Sequence, residues 1–143
     1  MAPTEVLAEQ HFLSISTQLQ ADPPPGEPKD AVRHARLPGE GNRRITMVLL
    51  IGSLQGSVKK RIQQMIADGE ADLIIGTHAL LQEQVSIPNL GLAVVDEQHR
   101  FGVEQRGALT RREPRPHLLA MSATPIPRTL SLTVYGDLDI TTL

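Results

Sequence analysis

Residues 92–99 read Leu-Ala-Val-Val-Asp-Glu-Gln-His. An unbroken aliphatic run that stops at two carboxylates is the pattern of a strand buried on both faces, its carboxyl end emerging at a sheet edge. The same pattern returns on either side. Ile45–Ile51, Asp72–Ile75, Leu90–Val95 and Leu118–Met121 are predicted strands, and helices are predicted over Ser57–Asp68, 103–112 and 126–135. Aliphatic strands separated by helices predict an open α/β fold, a parallel sheet with flanking helices. Functional loops are then expected at the carboxyl ends of the strands.

Toward the amino terminus, Met1–Gln20 opens with a Pro-Thr turn and reads as a helix starting at Thr4-Glu5, with Val6, Leu7, Gln10, Leu13 and Thr17 near one face. Asp22–Arg44 differs in kind. Five Pro and three Gly among its 23 residues, with Val32 and Leu37 its only sizeable apolar side chains, predict an exposed, flexible insertion loop inside the domain.

Composition narrows the function classes. Fourteen Lys and Arg against 16 Asp and Glu give 143 residues a net charge of −2, so any contact with nucleic acid must be local. The absence of cysteine excludes a disulfide framework, a zinc–thiolate site and a Cys nucleophile. No apolar run approaches the roughly 18 residues of a membrane span, and a cytoplasmic protein without membrane partners is expected.

Three groups of residues carry candidate chemistry. Asp96 and Glu97 supply the two carboxylates that phosphoryl transfer needs at a sheet edge: Asp96 to hold Mg²⁺, Glu97 to orient the attacking water. The alternative reading is an acidic pair favourably placed at the start of a helix. Ser122 and Thr124 flank Ala123 at the end of the next strand and can hydrogen-bond to groups around Glu97 and His99, although turns require such residues too. Pro3-Thr4-Glu5, Gly52-Ser53 and Gly76-Thr77-His78 each follow a strand or open a helix, where amides and hydroxyls can hold the phosphates of a nucleic-acid strand. Turns again provide the alternative. Gly52–Lys59 lacks the Gly-Lys-Ser/Thr order of a phosphate loop, and His78, His99 and Asp96 match no helical two-histidine metal motif. Lys59-Lys60-Arg61 and Arg111-Arg112 read as solvated charge runs.

Taken together, MAPTEVLAEQH (1–11), IIGTHALLQE (74–83), VVDEQHRFGVEQR (94–106) and MSATPIPRTL (121–130) resemble, in order and spacing, the first motor domain of RecG-type ATP-dependent DNA helicases. The resemblance covers residues 1–20 and 45–143 and implies a partial RecA-like fold of the P-loop NTPase type over 1–143, from motif Ia to motif III. It implies ATP and Mg²⁺ as cofactors, served by Asp96 and Glu97. Gln98 and His99 would relay nucleotide state to Ser122-Ala123-Thr124, and Pro3-Thr4-Glu5 with Gly76-Thr77-His78 would grip a DNA backbone. Forked or branched DNA is the implied substrate, acted on by branch migration in repair and recombination.

The pattern also sets expectations about the surroundings. The first strand and phosphate loop are expected before Met1, the second motor domain after Leu143, and an amino-terminal DNA-binding domain elsewhere; the isolated chain is expected to be inactive. A missing strand would cost about 10 kcal/mol of burial, so marginal stability is expected. With two or three phosphate contacts, DNA binding no tighter than about 10⁻⁴ M is expected. Two other readings stand beside this one: a truncated, non-catalytic nucleic-acid-binding remnant, and a fragment of an Mfd-type translocase, whose box typically reads Asp-Glu-Glu-His where this chain has Gln98.

Overall fold

The computed structural model describes residues 1–37, 43–82, 84–96 and 115–123. Helix α1 spans Glu5–Gln18, and its start is the predicted one: Thr4 has extended backbone and accepts a hydrogen bond from the Leu7 amide at 3.3 Å, satisfying a donor that has no partner within the helix. Its buried face is not the predicted one. Ala8, Phe12 and Ser16 point inward, while Val6 and Leu13 are 67% and 57% exposed. An i, i+4, i+8 row with two small members lets the helix lie close to the sheet, and Phe12 supplies the bulk.

Strand β1 (Val32–Arg36) lies within the stretch predicted as a loop. Two buried small residues, Ala31 and Ala35, together with Val32, are enough to seat it once a partner is available. That partner is β2 (Arg44–Leu50), paired antiparallel from Val32↔Val48 to Arg36↔Arg44. The preceding turn is tied to the body by Glu27, which accepts from Arg61 at 2.6 Å. Arg61 is exposed, as the solvated charge run predicts, and within that surface pairs with Glu27 and, at 3.7 Å, with Glu70.

Helix α2 (Gly56–Ala67) buries Ile62, Met65 and Ile66 and ends where Asp68-Gly69 signals it. Gly69 has φ +72°, its amide donates to the Ile66 carbonyl, and the Glu70 amide donates to Met65. Both bonds together are the Schellman cap, in which glycine takes the left-handed position without a Cβ clash. Strand β3 (Leu73–Gly76) then pairs parallel to β2, with Leu50 opposite Gly76. Strands β4 (Leu92–Val95) and β5 (His117–Ala120) form a second parallel pair, with Val95 opposite Ala120. The helices predicted over 103–112 and 126–135 lie outside the described residues.

The described strands thus form a three-stranded sheet, β1-β2-β3, and a two-stranded one, β4-β5. Met1 and Ala2 join them. The Met1 amino group donates to the Val94 carbonyl at 2.6 Å and the Asp96 amide donates to the Met1 carbonyl at 3.0 Å, the two bonds of a parallel pairing opposite Val95. On the other side the Ala2 amide donates to Gly76 at 2.9 Å. An apolar cleft of about 340 Å³ remains between the sheets, lined among others by Ile15, Ile74, Leu90 and Val94. The main core is formed by Phe12, Met47, Leu50, Ile51, Ile62 and Ile66, all fully buried between α1, the first sheet and α2.

The observed face of α1 makes a direct prediction. Phe12→Ala should cost about 3–5 kcal/mol in chemical denaturation, whereas Leu13→Ala should stay within about 0.5 kcal/mol. Equal losses from the two substitutions would contradict this packing.

Candidate nucleotide and nucleic-acid edge

Because β2, β3, β4, β5 and the Met1–Ala2 segment all run the same way within their pairings, their carboxyl ends bring the predicted segments out together. Ile51-Gly52-Ser53 leaves β2, Thr77-His78 leaves β3, Pro3-Thr4 leaves the Met1–Ala2 link, and Asp96 leaves β4. The Met121 amide donates to the Val95 carbonyl at 2.9 Å, so Ser122-Ala123 emerge one residue beyond the position opposite Asp96. Glu97, Gln98, His99 and Thr124 lie outside the described residues.

One half of this edge is built around Glu5. Its carboxylate accepts from the Gly52 amide at 2.8 Å and the Ser53 amide at 3.2 Å. These two amides, read from sequence as phosphate holders, are therefore already satisfied by an internal anion. A Cβ at Gly52 would come within 2.8 Å of the same carboxylate oxygen, so a side chain there would push the Glu5 carboxylate from its place on the loop. The Ser53 hydroxyl, then the two amides and the nearby His78, hold the Glu5 carboxyl below its usual range. Thr4, the helix cap, is exposed beside it.

The Gly76-Thr77-His78 segment divides its roles. Gly76 has no room for a side chain, because a Cβ there would collide with the Leu50 carbonyl. Thr77 is 2% exposed, and its hydroxyl accepts from the Ala79 amide to cap a 3₁₀ turn over His78–Leu81 that the sequence did not signal. Its hydroxyl therefore supports the turn, and His78 is the exposed member of the segment.

The other half centres on Asp96. The carboxylate is 26% exposed and takes a hydrogen bond from Nε2 of His11, on α1, at 3.2 Å. The Met1 carbonyl holds the Asp96 amide at 3.0 Å on the same side. Sequence reasoning missed His11. The contact spans 85 residues, and the only signal available was its presence in the MAPTEVLAEQH motif.

The edge sets the exposed Thr4, Ser53 and His78 on one side and the partly exposed Asp96 carboxylate on the other. The DEAD/DEAH box helicase family matches residues 1–133. An ATP-dependent DNA helicase RecG of Mycobacterium bovis is 50% identical over all of this chain, which covers 18% of that protein. The Streptococcus pneumoniae protein of the same name is 44% identical over 98% of the chain and 17% of its own length, and that of Bacillus subtilis is 38% identical over 100% and 18%. The chain spans about a fifth of the length of these relatives.

The Glu5 carboxyl gives the test of this geometry. Its pKa is depressed, so its contribution to the Gly52-Ser53 loop should be intact above the ordinary value of 4.5 and be lost as pH falls through the lower, folded value. Carboxyl ¹³C titration should show a midpoint under 4.5, and Ser53→Ala should move it upward, since the Ser53 hydroxyl is the largest cause. An unshifted midpoint, or one indifferent to Ser53→Ala, would contradict the contact.

Proposed function

The chain belongs to the DEAD/DEAH box helicase family, and from that premise we propose that it forms part of the first motor domain of a RecG-type ATP-dependent DNA helicase, acting on forked or branched DNA. The observation that carries the reading is the shared edge. Pro3-Thr4-Glu5, Gly52-Ser53 and His78 stand on one side of it, Asp96 and Ser122 on the other, and residues 1–11 touch both. The RecG names of the relatives and Gln98 favour this reading over an Mfd-type translocase.

Magnesium fits the donor set. Mg²⁺ keeps several waters and takes one or two carboxylates beside phosphate oxygens, rather than a full protein cage. Asp96 provides one such partly exposed carboxylate at a strand end, and among the described residues no group of three or more His, Asp or Glu side chains offers a competing cluster. When bound there, the ion would neutralise charge on the phosphates of ATP. Asp96 holds its own position through the Met1 carbonyl and His11, and Glu97 would orient the hydrolytic water. Gln98 and His99 would relay nucleotide state to Ser122-Ala123-Thr124.

On the nucleic-acid side, the strand would run past the exposed Thr4, Gly52, Ser53 and His78, with Glu5 keeping the Gly52-Ser53 loop in shape. The remaining parts of the motor, a phosphate-loop segment, a second motor domain and a branch-recognising domain, would complete the enzyme. Among the described residues no helix is long and apolar enough to cross a membrane, which is compatible with the cytoplasmic location proposed for such an enzyme.

The decisive experiment uses the complete protein. Glu97→Gln should keep Mg²⁺-dependent binding of a fluorescent ATP analogue and lower DNA-stimulated kcat by about 10²–10⁴-fold, the range for losing a positioned base. Wild-type turnover in that variant would overturn the assignment.

A further inference from the structure

His11 has so far served only to hold Asp96 in place, yet it is the side chain that joins the two halves of the edge. Asp96 is gripped twice from the amino-terminal segment: its amide by the Met1 carbonyl at 3.0 Å and its carboxylate by His11 Nε2 at 3.2 Å. His11 sits six positions after Glu5 on the same helix, about 9 Å along its axis. Phe12, next to it, is fully buried and fixes the rotation of the helix against the sheet. Glu5 at the near end is tied to Gly52 and Ser53, 47 and 48 residues away in sequence. A short rigid helix therefore has one end at the proposed DNA contacts and a side chain on the proposed nucleotide carboxylate.

Resting on the helicase reading and deepening it, we propose that His11 is a positioning residue that couples DNA contact to nucleotide state through its bond to Asp96. Any shift of the Asp96 carboxylate changes its bond to His11 and so the free energy of α1 in that position. Any shift of Thr4-Glu5 on DNA moves His11 relative to Asp96. Such a link is reciprocal: what strengthens one binding event through it must strengthen the other by the same factor. The requirement on residue 11 is narrow. A donor must reach Asp96 from α1, which the Nε2 of glutamine does and the shorter amide of asparagine does not.

The test measures binding rather than turnover. With the complete protein, the Kd for a fluorescent forked oligonucleotide is determined with and without Mg²⁺ and the β,γ-imido analogue of ATP. The ratio of the two values reports the coupling. Wild type should give a ratio of at least about 5, the lower end of usual coupling. His11→Ala and His11→Asn should bring it under about 2 while His11→Gln retains it, with thermal midpoints matching wild type. His11→Asn or His11→Ala keeping the wild-type ratio, or His11→Gln losing it as fully as they do, overturns the proposal. A wild-type ratio of about 1 with both ligands bound overturns the coupling alone. Failure of wild type to bind forked DNA or the analogue overturns the helicase reading, and the coupling with it.

Discussion

The structure turns on three backbone hydrogen bonds at Met1 and Ala2. These two residues stand between β3 and β4, which are otherwise not paired with each other, and bond to Gly76 on one side and to Val94 and Asp96 on the other. Buried strand edges carry donors and acceptors that must be met, and here a two-residue link meets them at the place where the functional loops begin. The link also sets direction. Because Met1 pairs parallel to β4, the chain leaves the sheet at Pro3 toward the same edge as Thr77 and Asp96, and α1 starts there.

From that constraint the proposed chemistry follows by geometry. Helix α1 is anchored at its start by the Thr4 cap and the Glu5 carboxylate on the Gly52-Ser53 loop, in its middle by Phe12, and toward Asp96 by His11. Satisfying loop amides with an internal carboxylate has a consequence for strand binding. A phosphate approaching Gly52-Ser53 meets a loop already shaped by an anion, so attraction at this point comes from His78, from the Thr4 hydroxyl and from parts of the loop that Glu5 leaves open. This agrees with a chain whose net charge of −2 offers no broad attraction to DNA.

Much of the fold could be read from sequence because β2, β3 and β4 are largely aliphatic. Leu92–Val95, Leu73–Gly76 and Arg44–Leu50 need no partner identity to be recognised as strands, and Asp68-Gly69 marks the end of α2 by its own backbone preference. Burial on both faces holds less well, since among the described residues Leu92 is 56% exposed. Strand β1 was not legible, since Val32 with two alanines is a weak apolar signal and its pairing with β2 depends on a partner across residues 37–43. The buried face of α1 was misread because Val6 and Leu13 outrank Ala8 and Ser16 in hydrophobicity, whereas closeness to the sheet favours the small residues. At the site, the segments were legible as motifs but their internal bonds were not. Neither Glu5 on Gly52 nor His11 on Asp96 follows from spacing, because each contact is set by how α1 lies on the sheet.

Residues 1–11 tie the Gly52-Ser53 side of the edge to the Asp96 side as one unit. Residue-resolved amide exchange on the complete protein, with and without forked DNA and without nucleotide, tests it most directly. Slower exchange is expected at Thr4, Glu5, Gly52, Ser53 and His78 on adding DNA. Slower exchange is expected as well at the Asp96 amide, which lies on the proposed nucleotide side and is held by the Met1 carbonyl. Protection by DNA that leaves the Asp96 amide unchanged, or that falls elsewhere on the chain, would contradict it.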